Sequence, residues 1–299
     1  MTEPTTRTQA YERIDGCIGG MMEQIPQLSN IFDAFRGVLA EGAAVKAALA
    51  AVDFTNLEIN PERYAQGVPL LTKDRFAVEG KSFQDAAGRL LPLMEKSFPS
   101  IRDQLRVVNE MIHESSIQCE ALAMAVISGN EEEIRKTVGT RDVDPGALRF
   151  AVGLIMKPFA ENAAESLPPL PEGMEWHQGY CPVCGSWPEL SVLEGKEGRR
   201  WLRCSFCGHE WRFMRIQCPF CGNTDQDKLE VLFQEGRDHE RAELCHECRK
   251  YVVAVDMRDR IEEIPHEVAA LGMVYLDMLV QEKGYSPGAR CPWNVIERQ

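Results

Sequence analysis

The chain has 299 residues, a hydrophobic fraction of 44% and a formal net charge of −13 at pH 7. This length can hold one substantial core and a smaller module. The acidic balance disfavours a nucleic-acid-binding protein, which needs a net basic surface. No run approaches the roughly 18 apolar residues of a membrane span. The polar N-terminus lacks the apolar segment of an export sequence, so we expect a cytoplasmic location.

Residues 1–167 have the patterns of a mainly helical domain. Residues 27–51 are rich in alanine and leucine, and apolar residues recur at helical spacing after Ser82, Ser100 and Asp144. These stripes are most simply a hydrophobic core. The core residues that they predict are Phe83, Ala86, Ala87, Leu90, Leu91, Met94, Leu105, Val108, Ile112, Cys119, Leu122, Val126, Leu148, Val152, Ile155, Met156 and Phe159.

Two helix starts carry recognisable caps. Asn130 stands three residues before Glu133, as in a capping box. Asp144 precedes Pro145, which combines a capping side chain with a proline at the first helical position. The sequence therefore predicts helices that begin just after Asn130 and Asp144.

The rest of the chain divides into four further segments. A proline-rich linker is predicted at 168–173, because prolines interrupt the helical pattern there. We then expect two cysteine-containing ribbons, at 174–216 and 217–260, with strand-forming segments between the cysteine turns. The last segment, 261–299, is predicted to form a helix that starts at Pro265 and stops at Gly284, followed by a tail.

Eight of the eleven cysteines form four C-x-x-C pairs within residues 181–248. The gaps between successive pairs are 19, 10 and 23 residues. A gap of about 19 is common in a ribbon that folds back on itself. The natural grouping is therefore two tandem sites of four, which an internal duplication would produce. The predicted metal ligands are Cys181, Cys184, Cys204 and Cys207 in one site and Cys218, Cys221, Cys245 and Cys248 in the other.

The residues around each pair suit a tight metal-binding turn. Two intervening residues allow both sulfurs to face one ion, at about 2.3 Å for zinc. Glycine follows the second cysteine in three turns, where it tolerates positive φ; these are Gly185, Gly208 and Gly222. The fourth turn has Arg249 at that position, so we expect it to be the least regular.

Other interpretations of the cysteines remain open. Disulfides are disfavoured in a reducing cytosol. A thioredoxin-type redox pair is also disfavoured, because it needs one C-x-x-C that opens a helix after a strand, and four pairs separated by hairpin-like segments fit that pattern poorly. A tetrathiolate site suits zinc and also a single rubredoxin-like iron, and the sequence does not distinguish the two metals. Either site leaves no open coordination position, so we expect no metal-based catalysis and no enzymatic activity.

Three cysteines and two histidines stand outside these groups or beside them. Cys17 and Cys119 are interpreted as small hydrophobic residues in helices, whereas Cys291 lies in the tail, where it is free to be exposed. His209 and His246 lie beside cysteine turns. Because eight sulfurs already suffice for two ions, we expect these histidines to support the sites and not to bind metal.

The first ribbon also has a local excess of arginine among aromatic residues. This stretch is a candidate surface for a protein partner, and the alternative is hairpin packing with solvated arginines. The candidate partner-binding residues are Arg199, Arg200, Arg212, Arg215 and Trp211.

The cysteine-containing stretch resembles the FdhE family of formate dehydrogenase accessory proteins. The resemblance rests on the runs at 181–188 and 200–207, then Glu210, Trp211, Arg215 and the pair at 218 and 221. It continues in the run 241–248 with Tyr251, and in the last helix at 271–285. Weaker matches lie at 67–71 and 150–158.

This resemblance implies an α+β protein, with a mainly helical N-terminal domain followed by two tandem rubredoxin-like or zinc-ribbon metal modules and a C-terminal helix. It implies a cytoplasmic, non-enzymatic assembly factor that binds the molybdenum- or tungsten-containing catalytic subunit of a formate dehydrogenase and is needed for its activity. The alternative hypotheses are an iron-containing redox carrier or oxidoreductase and, less favoured by charge, a zinc-ribbon nucleic-acid binder.

Overall fold

The computed structural model describes residues 4–171, 173–258 and 265–294. The chain divides into two units, which we call the helical unit (Met1–Val52 and Leu71–Ala163) and the sheet unit (Asp53–Leu70 and Ala164–Gln299). The domain boundaries expected from the sequence stay predictions, and those at 260 and 261 lie outside the described residues.

Eight α-helices precede the sheet in the described residues. None of them, nor either of the two later helices, combines the length and apolar character needed to cross a bilayer. Their bounds are α1 Pro4–Gln24, α2 Ser29–Ala48, α3 Pro61–Ala65, α4 Gly80–Ser97, α5 Arg102–Glu114, α6 Ser116–Ser128, α7 Glu131–Val138 and α8 Pro145–Glu165.

The predicted apolar stripes form the core of the helical unit. The predicted core residues of α4, α5, α6 and α8 belong to one hydrophobic cluster, with Val126 packed against it. Both predicted caps are present: the Asn130 side chain accepts a hydrogen bond from the Glu133 amide at 3.2 Å, and Asp144 Oδ1 accepts one from the Ala147 amide at 2.8 Å. Local spacing and capping chemistry therefore predicted α4, α7 and α8, whereas the stripe expected on one helix after Ser100 is divided between α5 and α6 at Ser115.

In the described residues, one seven-stranded sheet organises the sheet unit. Along the sheet the order is β3-β2-β1-β6-β5-β4, and β7 pairs with β6. The strand bounds are β1 Pro188–Glu194, β2 Arg199–Cys204, β3 Glu210–Arg212, β4 Leu229–Phe233, β5 Glu240–Cys245, β6 Lys250–Asp256 and β7 Ser286–Pro287.

The two ribbons follow the same plan. In each, one cysteine pair precedes the first strand, a second pair lies at the end of the second strand, and three strands run antiparallel as a meander. β1 of the first ribbon then pairs with β6 of the second in parallel, with Leu190 opposite Val253. This pairing joins the two ribbons into one sheet, and the repeated plan supports an internal duplication.

A segment from the N-terminal half of the chain packs in the sheet unit. The Leu70 amide donates to the Pro182 carbonyl at 2.8 Å, and the Tyr180 hydroxyl donates to the Gly67 carbonyl at 2.8 Å. The ring of Tyr64, on α3, lies 4.8 Å from that of Trp176. Residues 53–70 therefore help to hold the first cysteine turn.

The C-terminal segment forms two consecutive helices where one was expected. These are α9 His266–Gly272 and α10 Val274–Glu282, with Met273 outside helical geometry between them. Gly284 follows with φ of +83°, a conformation that ends the helical segment and that favours glycine. The two helices cover one face of the sheet, where the Tyr275 hydroxyl donates to Glu240 at 2.6 Å.

A carboxyl group is buried beneath these helices. Asp277 is 2% exposed, and its Oδ1 accepts a hydrogen bond from the Tyr251 hydroxyl at 2.6 Å, while its Oδ2 has no hydrogen-bond partner among the described residues. Burial raises the pKa of the Asp277 carboxyl to about 7, although the bond from Tyr251 acts in the opposite direction. The folded protein therefore holds this proton over a pH range in which the unfolded chain has lost it.

Replacing Asp277 with asparagine is expected to flatten the pH dependence of stability. A raised pKa favours the folded state at low pH, and this advantage is lost as pH rises through the folded value near 7. Between pH 6 and 8 the parent should lose about 1 kcal/mol of unfolding free energy that Asp277→Asn retains. Urea unfolding at the two pH values measures this difference. Glu282→Gln, exposed on the same helix, is the control, and parallel pH curves for Asp277→Asn and the parent would contradict it.

Candidate metal centres

Four sulfurs converge at the base of the first ribbon. Cys181 and Cys184 lie on the turn before β1, and Cys204 and Cys207 lie where β2 ends. The Sγ atoms of Cys181 and Cys207 are 3.6 Å apart, and those of Cys184 and Cys204 are 3.4 Å apart. All four side chains are buried, and all four sulfurs lie within 4.8 Å of one another.

The second ribbon repeats this arrangement. The Sγ atoms of Cys218 and Cys248 are 3.7 Å apart, as are those of Cys221 and Cys245. Within the described residues, the two groups able to hold a metal ion are these two sets of four cysteines. The spacing along the chain had predicted the same two sets.

The sulfur–sulfur distances fit a tetrahedral ion and not disulfides. A metal–sulfur bond of about 2.3 Å implies tetrahedral edges of about 3.8 Å, close to the observed 3.4–3.7 Å. A disulfide needs about 2.05 Å, and none of the eleven cysteines, all of which the structure describes, forms a disulfide. Each group could therefore hold one metal ion, zinc or iron.

The electrostatics of the groups also call for a cation. Burial and the neighbouring sulfurs hold the pKa of the Cys181 thiol well above its ordinary value, and burial does the same at Cys218. Backbone amides point at the sulfurs: Val183 donates to Cys181 Sγ at 3.4 Å, and Phe206 donates to Cys204 Sγ at 3.4 Å. Four thiolates in one buried place repel each other unless a metal ion neutralises them, and a coordinated thiol is deprotonated.

The expectation that the fourth turn is irregular is wrong. The Arg249 amide donates to the Cys245 carbonyl at 2.9 Å, the same bond that Gly185 makes to Cys181. Arg249 takes a φ of +57°, the region that glycine occupies in the other three turns. Its side chain accounts for this strained backbone, because the guanidinium lies 3.9 Å from the centre of the Tyr285 ring and donates to the Lys283 carbonyl at 3.0 Å.

The turns of the two ribbons touch each other. Gly179 lies just before the first turn, and a Cβ atom at this position would overlap the backbone carbonyl of Pro219 in the second ribbon. Only glycine permits this approach. The two candidate centres are therefore built on backbones in direct contact.

The two groups differ in access to solvent. All four cysteines of the first group are buried, whereas in the second group Cys221 is exposed and Cys248 is half-buried. Chelators and oxidants reach exposed thiolates more readily than buried ones. An ion in the second group would thus exchange more easily than one in the first.

The remaining cysteines and the two histidines lie outside both groups. Cys119 is buried as expected. Cys291 is also buried, at 4% exposure, although its position in the tail had allowed for an exposed side chain. Cys17 is half-buried. His246 contacts the Tyr285 hydroxyl through Nδ1 at 2.8 Å. Neither His246 nor His209 belongs to the groups that could hold a metal.

Two of the candidate partner-binding residues are buried. Arg200 is 3% exposed and forms an ion pair with Glu243; it also donates to Ser191 Oγ at 3.0 Å and to the Gln217 carbonyl at 2.8 Å. Trp211 is likewise 3% exposed, and its indole N–H donates to the Gln178 carbonyl at 3.3 Å. Sequence spacing could not distinguish these side chains from surface groups.

The other three candidates lie on the surface. Arg199, Arg212 and Arg215 are exposed, and the Arg212 guanidinium lies 5.7 Å from the centre of the Trp201 ring. Partner binding at this ribbon stays a prediction, and the accessible residues among the five candidates are these three arginines.

Comparison with known proteins bears directly on this unit. Residues 180–215, which contain the first cysteine group, match the family model described as the FdhE central domain. The resemblance to the FdhE family is confirmed. A protein FdhE homolog of Aquifex aeolicus (strain VF5) is 33% identical over 141 residues, which cover 46% of this chain and 49% of the relative. The chain therefore matches about half the length of that FdhE relative.

A second relative and a solved structure extend the FdhE likeness. A protein FdhE homolog of Stutzerimonas stutzeri (strain A1501) is 26% identical over 237 residues, covering 75% of this chain and 70% of the relative. The crystal structure of the FdhE protein from Pseudomonas aeruginosa has a TM-score of 0.65, with 23% identity and 95% of both chains covered. At this identity the likeness establishes the fold, which confirms the helical region followed by a sheet with two four-cysteine groups.

Proposed function

We propose that this protein is a cytoplasmic, non-enzymatic accessory factor that binds the catalytic subunit of a molybdenum- or tungsten-dependent formate dehydrogenase and is needed for its activity. The observation that carries the proposal is the presence of two closed four-cysteine groups in a chain that resembles FdhE proteins. A tetrathiolate ion has no free coordination position for a substrate. The eight cysteines, as ligands of two ions, would then stabilise the sheet unit and leave its surface to bind the client.

The proposal is tested in cells of the source organism. Deleting the gene is expected to abolish formate dehydrogenase activity, and the parent gene should restore it, whereas Cys184→Ser should not, because it breaks a buried metal group. Cys17→Ser, outside both groups, is the matched control and should restore activity. Another molybdenum- or tungsten-dependent enzyme should keep its activity in the deletion strain. Loss of that second activity as well would mean a role in cofactor supply and would contradict the proposal.

A direct binding experiment distinguishes a protein that acts on the catalytic subunit itself from one whose deletion lowers formate dehydrogenase activity indirectly. The tagged parent protein should retain the catalytic subunit in a pull-down. Triple charge reversal of Arg199, Arg212 and Arg215 should weaken that retention at unchanged metal content, because broken interfacial charge pairs cost about 2–5 kcal/mol. Retention equal to the parent would remove this ribbon from the proposed client surface.

A redox role is favoured by one specific observation, the exposure of Cys221 in the second group. An iron ion there would lie close to the surface, where electron exchange with a client is feasible, whereas zinc has no redox chemistry. Protein loaded only with zinc separates the two functions. If zinc-loaded protein supports formation of active formate dehydrogenase, the redox alternative fails.

A further inference from the structure

One face of the sheet is left partly uncovered. Val231 of β4 pairs with Glu243 of β5, so their side chains lie on the same face. Tyr251 of β6 and Glu240 of β5 point to the opposite face, where they bond to α10. On the uncovered side, a cleft of about 430 Å³ lies between β4, β5 and the segment 215–220. Because β4 is the last strand of the sheet, no further strand borders the cleft on that side within the described residues.

Apolar side chains line and flank this cleft. Ile216 and Val231 line it and are 48% and 51% exposed. Met214 lies two residues before Ile216 and is 60% exposed, and Phe233 lies two residues after Val231 on β4 and is 51% exposed. Among the described residues, seven large apolar side chains are exposed, and these four are more than half of them. Exposed apolar side chains grouped on one loop and one strand are typical of an interaction site, and Met214 and Phe233 lie outside the lining of the cleft itself.

The charges in the cleft are predominantly positive. Arg200 and Arg241, which line it, are neutralised by Glu243 and Asp256. Two further cations line it without an acidic partner in the described parts of the chain. They are Arg215 and Lys250, and the Lys250 ammonium lies 5.8 Å from the centre of each of two aromatic rings, those of Trp187 and Phe220.

The cationic lining residues outnumber the acidic ones, with Arg200, Arg215, Arg241 and Lys250 against Glu230 and Glu243. Glu243 faces Arg200, and Glu230 lies 3.1 Å from the imidazole of His246. The cleft is therefore a local cationic site in a chain whose net charge is −13. Charge complementarity across an interface favours an occupant that brings carboxylates.

We propose that this cleft binds a peptide segment of the client that carries both apolar and acidic side chains. Its apolar groups cover Ile216 and Val231, and at least one carboxylate pairs with Arg215, while Lys250 adds a second positive charge to the same cleft. This inference rests on the proposed function for the identity of the client and adds the site and the chemistry of the segment recognised. The exposed second cysteine group borders the same site, because Cys218 and Cys245 also line the cleft.

The test uses overlapping synthetic peptides that span the formate dehydrogenase catalytic subunit, with the metal-loaded full chain as receptor. Fluorescence anisotropy is expected to find binding for a peptide with clustered apolar residues and Asp or Glu. Val231→Glu and Arg215→Glu should each weaken that binding by about tenfold or more. The matched controls are Met278→Glu, an apolar position on α10 that is 40% exposed, and Arg75→Glu, an exposed arginine of the helical unit. Both should bind like the parent.

A second peptide tests the charge pairing. In this second peptide, the Asp and Glu residues of the binding peptide are changed to Asn and Gln, which should weaken its binding to the parent protein. Arg215→Glu should then lower the affinity for this neutral peptide little further. Independent, additive losses would show that Arg215 does not face the carboxylates and would overturn the proposal.

Four further results would also overturn it. If the controls lose as much affinity as the cleft variants, the site is elsewhere. If the parent retains the whole catalytic subunit but binds none of its peptides, and the cleft variants retain it equally, the cleft is refuted while the proposed function stands. If the parent protein binds neither the catalytic subunit nor any of its peptides, the proposed function itself is refuted. If the parent is a dimer that Val231→Glu dissociates, the occupant is a second copy of this chain.

Discussion

Replacing Cys184 with serine is expected to lower the metal content from two ions per chain to one and to expose the sheet unit to proteolysis. The side chain lies in a fully buried group of four sulfurs, and structural zinc contributes about 10–16 kcal/mol to folding in small domains. Cys221→Ser should also remove one ion, from the second group. Elemental analysis and limited proteolysis of the purified variants measure both effects.

Double variants test which cysteines share an ion. Cys184→Ser with Cys207→Ser should still leave one ion, because both belong to the first group. Cys184→Ser with Cys221→Ser should leave none. Cys17→Ser is the control and should keep two ions, since Cys17 lies outside both groups. One ion in the second double variant, or none in the first, would show that the assignment of cysteines to sites is incorrect.

Replacing Arg200 with alanine should cost about 3–5 kcal/mol of unfolding free energy, because it leaves the partners of a buried ion pair uncompensated. Glu243, Ser191 and the Gln217 carbonyl would each lose a donor. Arg200→Lys should recover only part of this loss, since an ammonium cannot bond in the same planar pattern. Denaturant unfolding of the metal-loaded protein, followed through the sheet unit, measures the change.

The neighbouring arginine is the matched control for this prediction. Arg199 lies on the same strand but is exposed, with its Nε 3.1 Å from Glu197, so Arg199→Ala should change stability by about 0.5 kcal/mol or less. If Arg200→Ala instead unfolds like the parent and loses client binding, Arg200 contacts the partner and its burial in the free protein is not structural.

Much of this protein was determined by short-range sequence patterns. A C-x-x-C turn brings two sulfurs together through a few backbone dihedrals, so the four pairs and their grouping followed from spacing alone. The caps at Asn130 and Asp144 and the apolar stripes of α4, α5 and α8 are equally local, since each depends on residues within one or two helical turns.

The features that only the tertiary structure decided all depend on contacts between residues distant in the chain. The parallel pairing of β1 with β6 depends on how two similar ribbons pack, and nothing in either strand specifies its partner. Arg200 is buried where the Met214 and Gln217 carbonyls of the following loop accept from its guanidinium. Trp211 is buried with its indole N–H bonded to the Gln178 carbonyl. Arg249 tolerates positive φ because its side chain contacts Tyr285. The uncovered face beside β4 has the same origin, because α9 and α10 cover only the opposite side of the sheet. The sequence of a strand does not specify which of its two faces another element will cover.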